Sequence, residues 1–336
     1  MGSSSWWSRV VFCSAVGSGF VTSPRLSPSR GGLCVVSSSS EEVEAESQTL
    51  AGLESEYWNS LSRTEQTILA KSRAGGEYLK LGQLEEALAC FDVAQDLSQH
   101  TRYEWHRGLA LFYLGRDADA AADLVANAQR FEERFEEPAT EERIFAAAAA
   151  RRATAAATAE TKARRPPIVV ESPLRETRPV LRAARDLFFA GAGEAPTMAW
   201  TAKELQAACR ARGLKVSGKK ADLVVRLAEG APTTEPGLDE EAARTKAFDA
   251  LRGLCTDRNG DPLRRKLFAH FYAGLYHEAE NDRDRAAAHL AIAAQRAETD
   301  PTGDLTAVLP KIHADARGWT LADVSGADLK RALAFE

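Results

Sequence analysis

Cysteine is scarce in this chain: five among 336 residues. Cys13, Cys34, Cys90, Cys209 and Cys255 nowhere take the CxxC spacing of a zinc or redox site, so neither a disulfide framework nor a metal centre is indicated. Free buried thiols are the ordinary reading. Long apolar runs are missing as well, and the stretch Val10–Val21 is too short to span a bilayer. β-branched residues come only in short, scattered runs, which argues against a large sheet. No P-loop, GxGxxG after a strand, GxSxG or HExxH occurs. The six histidines (His100, His106, His270, His277, His289 and His313) fall at no complete metal spacing. His270 and His277 can share a helix face, but no carboxylate completes a set. The acid pairs Glu132-Glu133 and Glu136-Glu137 read as solvated helix faces. We therefore expect no enzyme, and assign no catalytic residue, metal ligand or cofactor.

What is abundant is Ala, Leu and Arg, with hydrophobic residues at 44%. Alanine loses no side-chain entropy in a helix and lets helices approach closely, so this mix suits an all-α protein. The length allows roughly two domains and a leader. The net charge of −5 gives the whole protein no attraction for nucleic acid. Its distribution is uneven, however. Trp200 to Glu229 holds seven Lys or Arg and three acids, a local +4, which leaves −9 for the rest.

Residues 1–45 read as a leader. Met1 to Ser40 contains thirteen Ser and three Arg but no acid, and at Glu41 the composition turns to EEVEAE. Organelle import sequences have this character. Val10–Val21 also suits a signal-peptide core. The string GSGFVTSPRLSPSR resembles the junction of bipartite plastid leaders in algae with secondary plastids, with Phe20 at the cleavage point. Plastid import is preferred over mitochondrial; a nuclear or cytoplasmic protein with a plain tail stays open.

Three segments share one spacing. Gly75, Tyr78, Gly82, Ala87, Phe91 and Ala94 form the first series. Gly108, Leu111, Gly115, Ala120, Leu124 and Asn127 repeat it 33 residues later, and Gly274, His277, Asn281, Ala286, Leu290 and Ala293 keep the same internal steps. Small residues at the first and fourth sites let two antiparallel helices come close. The Gly or Asn between them ends the first helix in the left-handed conformation. Large residues at the other sites fill the space between hairpins. This pattern resembles the tetratricopeptide repeat, whose period is 34 residues. The wider strings YEWHRGLALFYLGR, RPVLRAARDLFFAG, FAHFYAGLYHEAENDRDRAAAHLAIAAQ and ARGWT are similar to a group of plastid-targeted tetratricopeptide-like proteins of plants and algae. That resemblance implies one helical domain and names no reaction; the repeat groove is expected to hold an unidentified protein or peptide. Further helices are expected over Gln48–Ala70, Glu141–Glu160, Arg178–Ala190 and Asp239–Leu254, with a break at Arg164–Pro173 where prolines pair.

Between the linker-like flanks Gly191–Pro196 and Gly230–Gly237 lies WTAKELQAACRARGLKVSGKKADLVVRLAEG. Thr201-Ala202-Lys203-Glu204 has the form of a capping box. Leu205 and Cys209 then share a face, Gly213 stops the helix, Leu214 and Val216 return from the connector, and Ser217 is placed to cap a second helix whose face carries Leu223 and Leu227. Ala202 and Cys209 make a small core that Trp200 can cover. The string resembles the SAP family, small helix–extended loop–helix modules of chromatin and other DNA-associated proteins, which implies nucleic-acid binding. Lys219 and Lys220 open the second helix, where the macrodipole disfavours each cation by about 0.3–1 kcal/mol. Backbone N–H groups beside two ammoniums make a phosphate site. The candidate contacts are Arg210, Arg212, Lys215, Ser217, Gly218, Lys219 and Lys220, following one strand of DNA, or RNA, through its phosphates. A plain solvated basic face and a protein contact are the alternatives.

The expected organisation is thus discontinuous: helical repeats over 46–190 and 238–336, with the SAP-like module at 197–231 grown from a loop whose ends lie close together. The function implied is a non-enzymatic adaptor; the second reading is a pure protein scaffold for organelle complex assembly.

Overall fold

In the computed structural model the described residues are 55–156, 169, 172, 174–189, 202, 205–206, 209, 215–229, 240–256, 262–300 and 304–335. The expected leader, most of the proline break and both flanks of the basic module lie outside them. All regular structure among the described residues is helical. In chain order the helices are α1 (Arg63–Lys80), α2 (Leu84–Leu97), α3 (Trp105–Tyr113), α4 (Asp117–Phe135), α5 (Thr140–Ala155), α6 (Pro179–Phe188), α7 (Lys220–Glu229), α8 (Glu240–Thr256), α9 (Pro262–Ala279), α10 (Arg283–Ala297), α11 (Leu305–Arg317) and α12 (Gly326–Leu333), with a 3₁₀ turn at Leu321–Asp323. No helix among these residues is long and apolar enough to cross a membrane.

The pairs α1/α2, α3/α4 and α9/α10 are helical hairpins, and the shared spacing explains each in the same way. The turn residues Gly82, Gly115 and Asn281 have φ of 71°, 73° and 61°, left-handed values that end the first helix. The next amide then reaches back five residues: Gln83 N–H to Tyr78 O at 2.9 Å, Arg116 to Leu111 at 2.9 Å and Asp282 to His277 at 2.8 Å. Two residues inside the hairpin decide how near the helices come. A Cβ on Gly75 would lie 2.6 Å from the Phe91 ring; one on Gly108, 2.5 Å from Leu124 Cγ; one on Gly274, 2.6 Å from Leu290 Cγ. Phe91, Leu124 and Leu290 are fully buried, each worth about 1.5–3 kcal/mol. The first and fifth sites of the series therefore form one contact, and the large side chain is seated where the small one leaves room.

Hairpins alone do not close the structure. Helix α6 packs on α8 and α9, so the segments before and after the basic module meet directly. Arg151 bonds Glu280 at 2.6 Å and the Phe188 carbonyl at 2.7 Å. Beside it Glu278 accepts from Arg152 (3.2 Å), Arg317 (2.6 Å) and His313 (2.9 Å). These partners hold the Glu278 carboxyl far below its ordinary pKa, against the cost of burial. Helix α11 lies against α1, and Arg317 also reaches the Tyr113 carbonyl at 3.4 Å. An open array would touch only its neighbours; here the last long helix returns to the first hairpins, and one apolar core runs from Leu79 to Ile312.

Several expectations change on contact with this packing. The helix expected over Gln48–Ala70 is interrupted, because Ser62 and Glu65 form a reciprocal cap that starts α1 at Arg63. The alanine run of α5 is packed, with Ile144 to Ala149 buried. Glu132 is no solvated acid: it is buried against Arg143 at 2.6 Å and also accepts from the Ala139 amide. Five of the histidines are buried in packing, such as His270 against His289 (2.9 Å) and His277 stacked on Phe248. No group of three His, Cys, Asp or Glu among the described residues is placed to hold a metal. At the start of α5, Glu141 accepts from Tyr272 and Glu142 from Tyr103. Burial pushes the Glu142 carboxyl up to about 7.

Two outcomes follow for stability. Gly75→Ala should destabilise by about 1–3 kcal/mol through overpacking on Phe91, while Gly76→Ala, with nothing within 4 Å, should stabilise by about 0.5–1 kcal/mol. Urea midpoints of the two variants check this, and equal shifts would refute the close-approach account. Because the folded carboxyl of Glu142 has a raised pKa, its contribution is full below about pH 4.5 and is lost as pH rises through about 7. Glu142→Gln should therefore stabilise the protein at about pH 8, by on the order of 1–3 kcal/mol, and little at about pH 5. Melting curves at the two pH values distinguish this from a pH-independent effect.

Candidate nucleic-acid interface

The basic module has a small core of its own. Residues 202, 205, 206 and 209 are helical, 215–217 run without regular structure, and α7 follows. Leu205 and Cys209, one helical turn apart, are fully buried against Leu223 of α7, with Val216 and Val224 packed on them. This cluster is distinct from the main core. Three buried side chains are few, and a module so small depends on its turns and caps.

The start of α7 is built differently from the expectation. Leu223 N–H bonds the Lys219 carbonyl at 3.2 Å, so Lys219 and not Ser217 is the capping position. Lysine offers no acceptor. Asp222 supplies one, taking the Lys219 N–H on its carboxylate at 2.9 Å and placing a negative charge at the positive end of the helix. The Lys219 amide is thus occupied rather than bare. The amides of Lys220, Ala221 and Asp222 have no acceptor among the described residues. Gly218 has φ of 135°, and a Cβ there would meet the Asp222 carboxylate at 3.2 Å. Arg226 reaches back from the next turn of α7, donating to the carbonyls of Lys215 (2.5 Å) and Ser217 (3.1 Å).

Of the seven candidate contacts, five are described. Lys215, Ser217, Gly218 and Lys219 are exposed and Lys220 is half-buried, all within one connector and the helix start it feeds. The ammonium groups of Lys215, Lys219 and Lys220 make no ion pair with any described residue. Arg210 and Arg212, like Thr201, Glu204 and Leu214, lie outside the described residues. Three flexible cations thus surround a helix start whose own acid is already engaged by backbone. Residues 198–229 match the SAP domain family model. This segment is a SAP domain. No curated protein and no solved structure matches the chain.

Two residues of the SAP domain that shape this surface escaped the sequence reading. Asp222 carried a usable signal, an acid three residues after the capping position. The role of Arg226 carried none, since its partners are carbonyls nine and eleven residues away and carbonyls have no sequence identity.

Gly218→Ala should strain the connector by about 1–3 kcal/mol and so raise the alkylation rate of the buried Cys209 thiol roughly tenfold or more. Peptide mapping reads this with Cys255, buried in the main core, as internal reference. An unchanged Cys209 rate would mean that the left-handed glycine is dispensable.

Proposed function

We propose that this protein is a non-enzymatic adaptor that holds nucleic acid through its SAP domain and a protein partner through its helical hairpins. The SAP match itself suggests nucleic-acid binding. The observation that carries the site is the set of three ammonium groups, on Lys215, Lys219 and Lys220, left without a carboxylate among the described residues at the start of α7. Internal ion pairs would have consumed them. In this reading they contact phosphates, with Arg210 and Arg212 continuing the track, and few groups are left to read bases. DNA is the preferred polymer and RNA the other that fits.

The hairpins are read as tetratricopeptide-like and the helical domain as discontinuous, with the SAP domain grown from the connection between α6 and α8. Support comes from the repeated glycine contacts and from the packing of α6 on α8. The acid-free, serine-rich start is read as an organelle leader, plastid before mitochondrion. One observation favours a second reading, a pure protein scaffold: Val225 is half exposed on α7 and offers the SAP domain an apolar contact.

The test is fluorescence anisotropy of the full chain with a labelled DNA duplex and with a single-stranded RNA of equal length. Lys219→Glu with Lys220→Glu should weaken duplex binding by at least about tenfold at low salt. Retained affinity in that variant would refute the phosphate site. A partner that co-purifies with the wild type and survives nuclease, together with no binding to either polymer, would favour the scaffold reading.

A further inference from the structure

We infer that Arg226 is a positioning residue of the SAP domain: its guanidinium fixes the connector so that Lys215 is presented to an anionic polymer, and it does not itself contact that polymer. This rests on the nucleic-acid reading above.

Arg226 is the one described cation of the SAP domain whose side chain donates to groups inside the chain. One terminal nitrogen serves both Lys215 O at 2.5 Å and Ser217 O at 3.1 Å. The first carbonyl belongs to the residue whose ammonium is exposed, so the bond sets the backbone from which that side chain projects. Guanidinium suits the task, because its planar fork offers several donors in fixed directions. The neighbourhood makes the placement specific. Gly218, two residues before α7, turns the chain with φ of 135°, and a Cβ added to it would sit 3.2 Å from Asp222 and 3.6 Å from Arg226. Asp222 and Arg226 form no ion pair with each other; one holds the Lys219 amide and the other the carbonyls before it. Together they clamp the connector from both sides with opposite charges. The free ammoniums of Lys215 and Lys219 flank that clamp.

A direct contact and a positioning role differ in their salt dependence. Each phosphate neutralised adds about 0.9 to the slope of log affinity against log salt, and a residue that only shapes the loop adds nothing. The experiment compares duplex binding by the full-length wild type, Arg226→Gln, Lys215→Ala and the double variant over a salt series. Arg226→Gln should weaken binding several-fold with the slope unchanged, and Lys215→Ala should lower the slope by about 0.9. The double variant should bind no more weakly than the weaker single, because without Lys215 there is nothing left to position. A slope lowered by about 0.9 in Arg226→Gln would make it a phosphate contact and overturn the inference. Additive losses, or no loss at all, would overturn it equally.

Protection of the Cys209 thiol reports whether Arg226→Gln keeps its fold. If Cys209 opens, Arg226→Lys, which retains a donor for the carbonyls, must meet the same slope and coupling requirements. Wild-type protein that fails to bind the duplex would overturn the nucleic-acid reading itself, an outcome separate from any behaviour of the variants.

Discussion

The closeness of paired helices governs this structure. At three hairpins a glycine on the first helix receives the tip of a large apolar side chain from the second, and no methyl group can fit between them. The separation of the helices is then set by a large side chain resting on bare glycine backbone. Everything packed on top inherits that spacing, including the aromatic layer of Phe112, Phe145 and Phe271 that joins the N-terminal and C-terminal hairpins.

Charge is used in two opposed ways. In the helical domain cations are taken into the structure: Arg143 by Glu132, Arg152 and Arg317 by Glu278, Arg178 by Glu176. Removing one partner of such a pair is costly because it strands the other in low dielectric. In the SAP domain Lys215, Lys219 and Lys220 pair with no described acid, and the one arginine described there faces carbonyls. The contrast within a single chain is what separates a structural use of positive charge from a surface left open.

The all-helical character and the hairpin turns were legible because they are local: a left-handed residue, a helix stop and a small residue recur at fixed steps. The SAP domain was legible for the same reason, its thirty-odd residues being contiguous. Illegible parts depend on distant partners. Glu132 reads as one of many surface acids until Arg143 is brought to it, and the capping position at the start of α7 is Lys219, with Asp222 as acceptor, in place of Ser217. Ser62 and Glu65, by contrast, form a cap that is readable in the sequence and lies inside the helix expected over Gln48–Ala70.

The return of α11 to the first hairpins bears on how the chain is made. Arg317 meets the carbonyl of Tyr113 across 204 residues. A ribosome releases the early hairpins long before the helix that covers them exists. Their buried faces must therefore wait, exposed or shielded by a chaperone, until the last hundred residues emerge. An array of hairpins that looks suited to piecewise assembly is obliged to finish as one cooperative unit, and shortening its C-terminal end would leave the beginning of the protein unsealed.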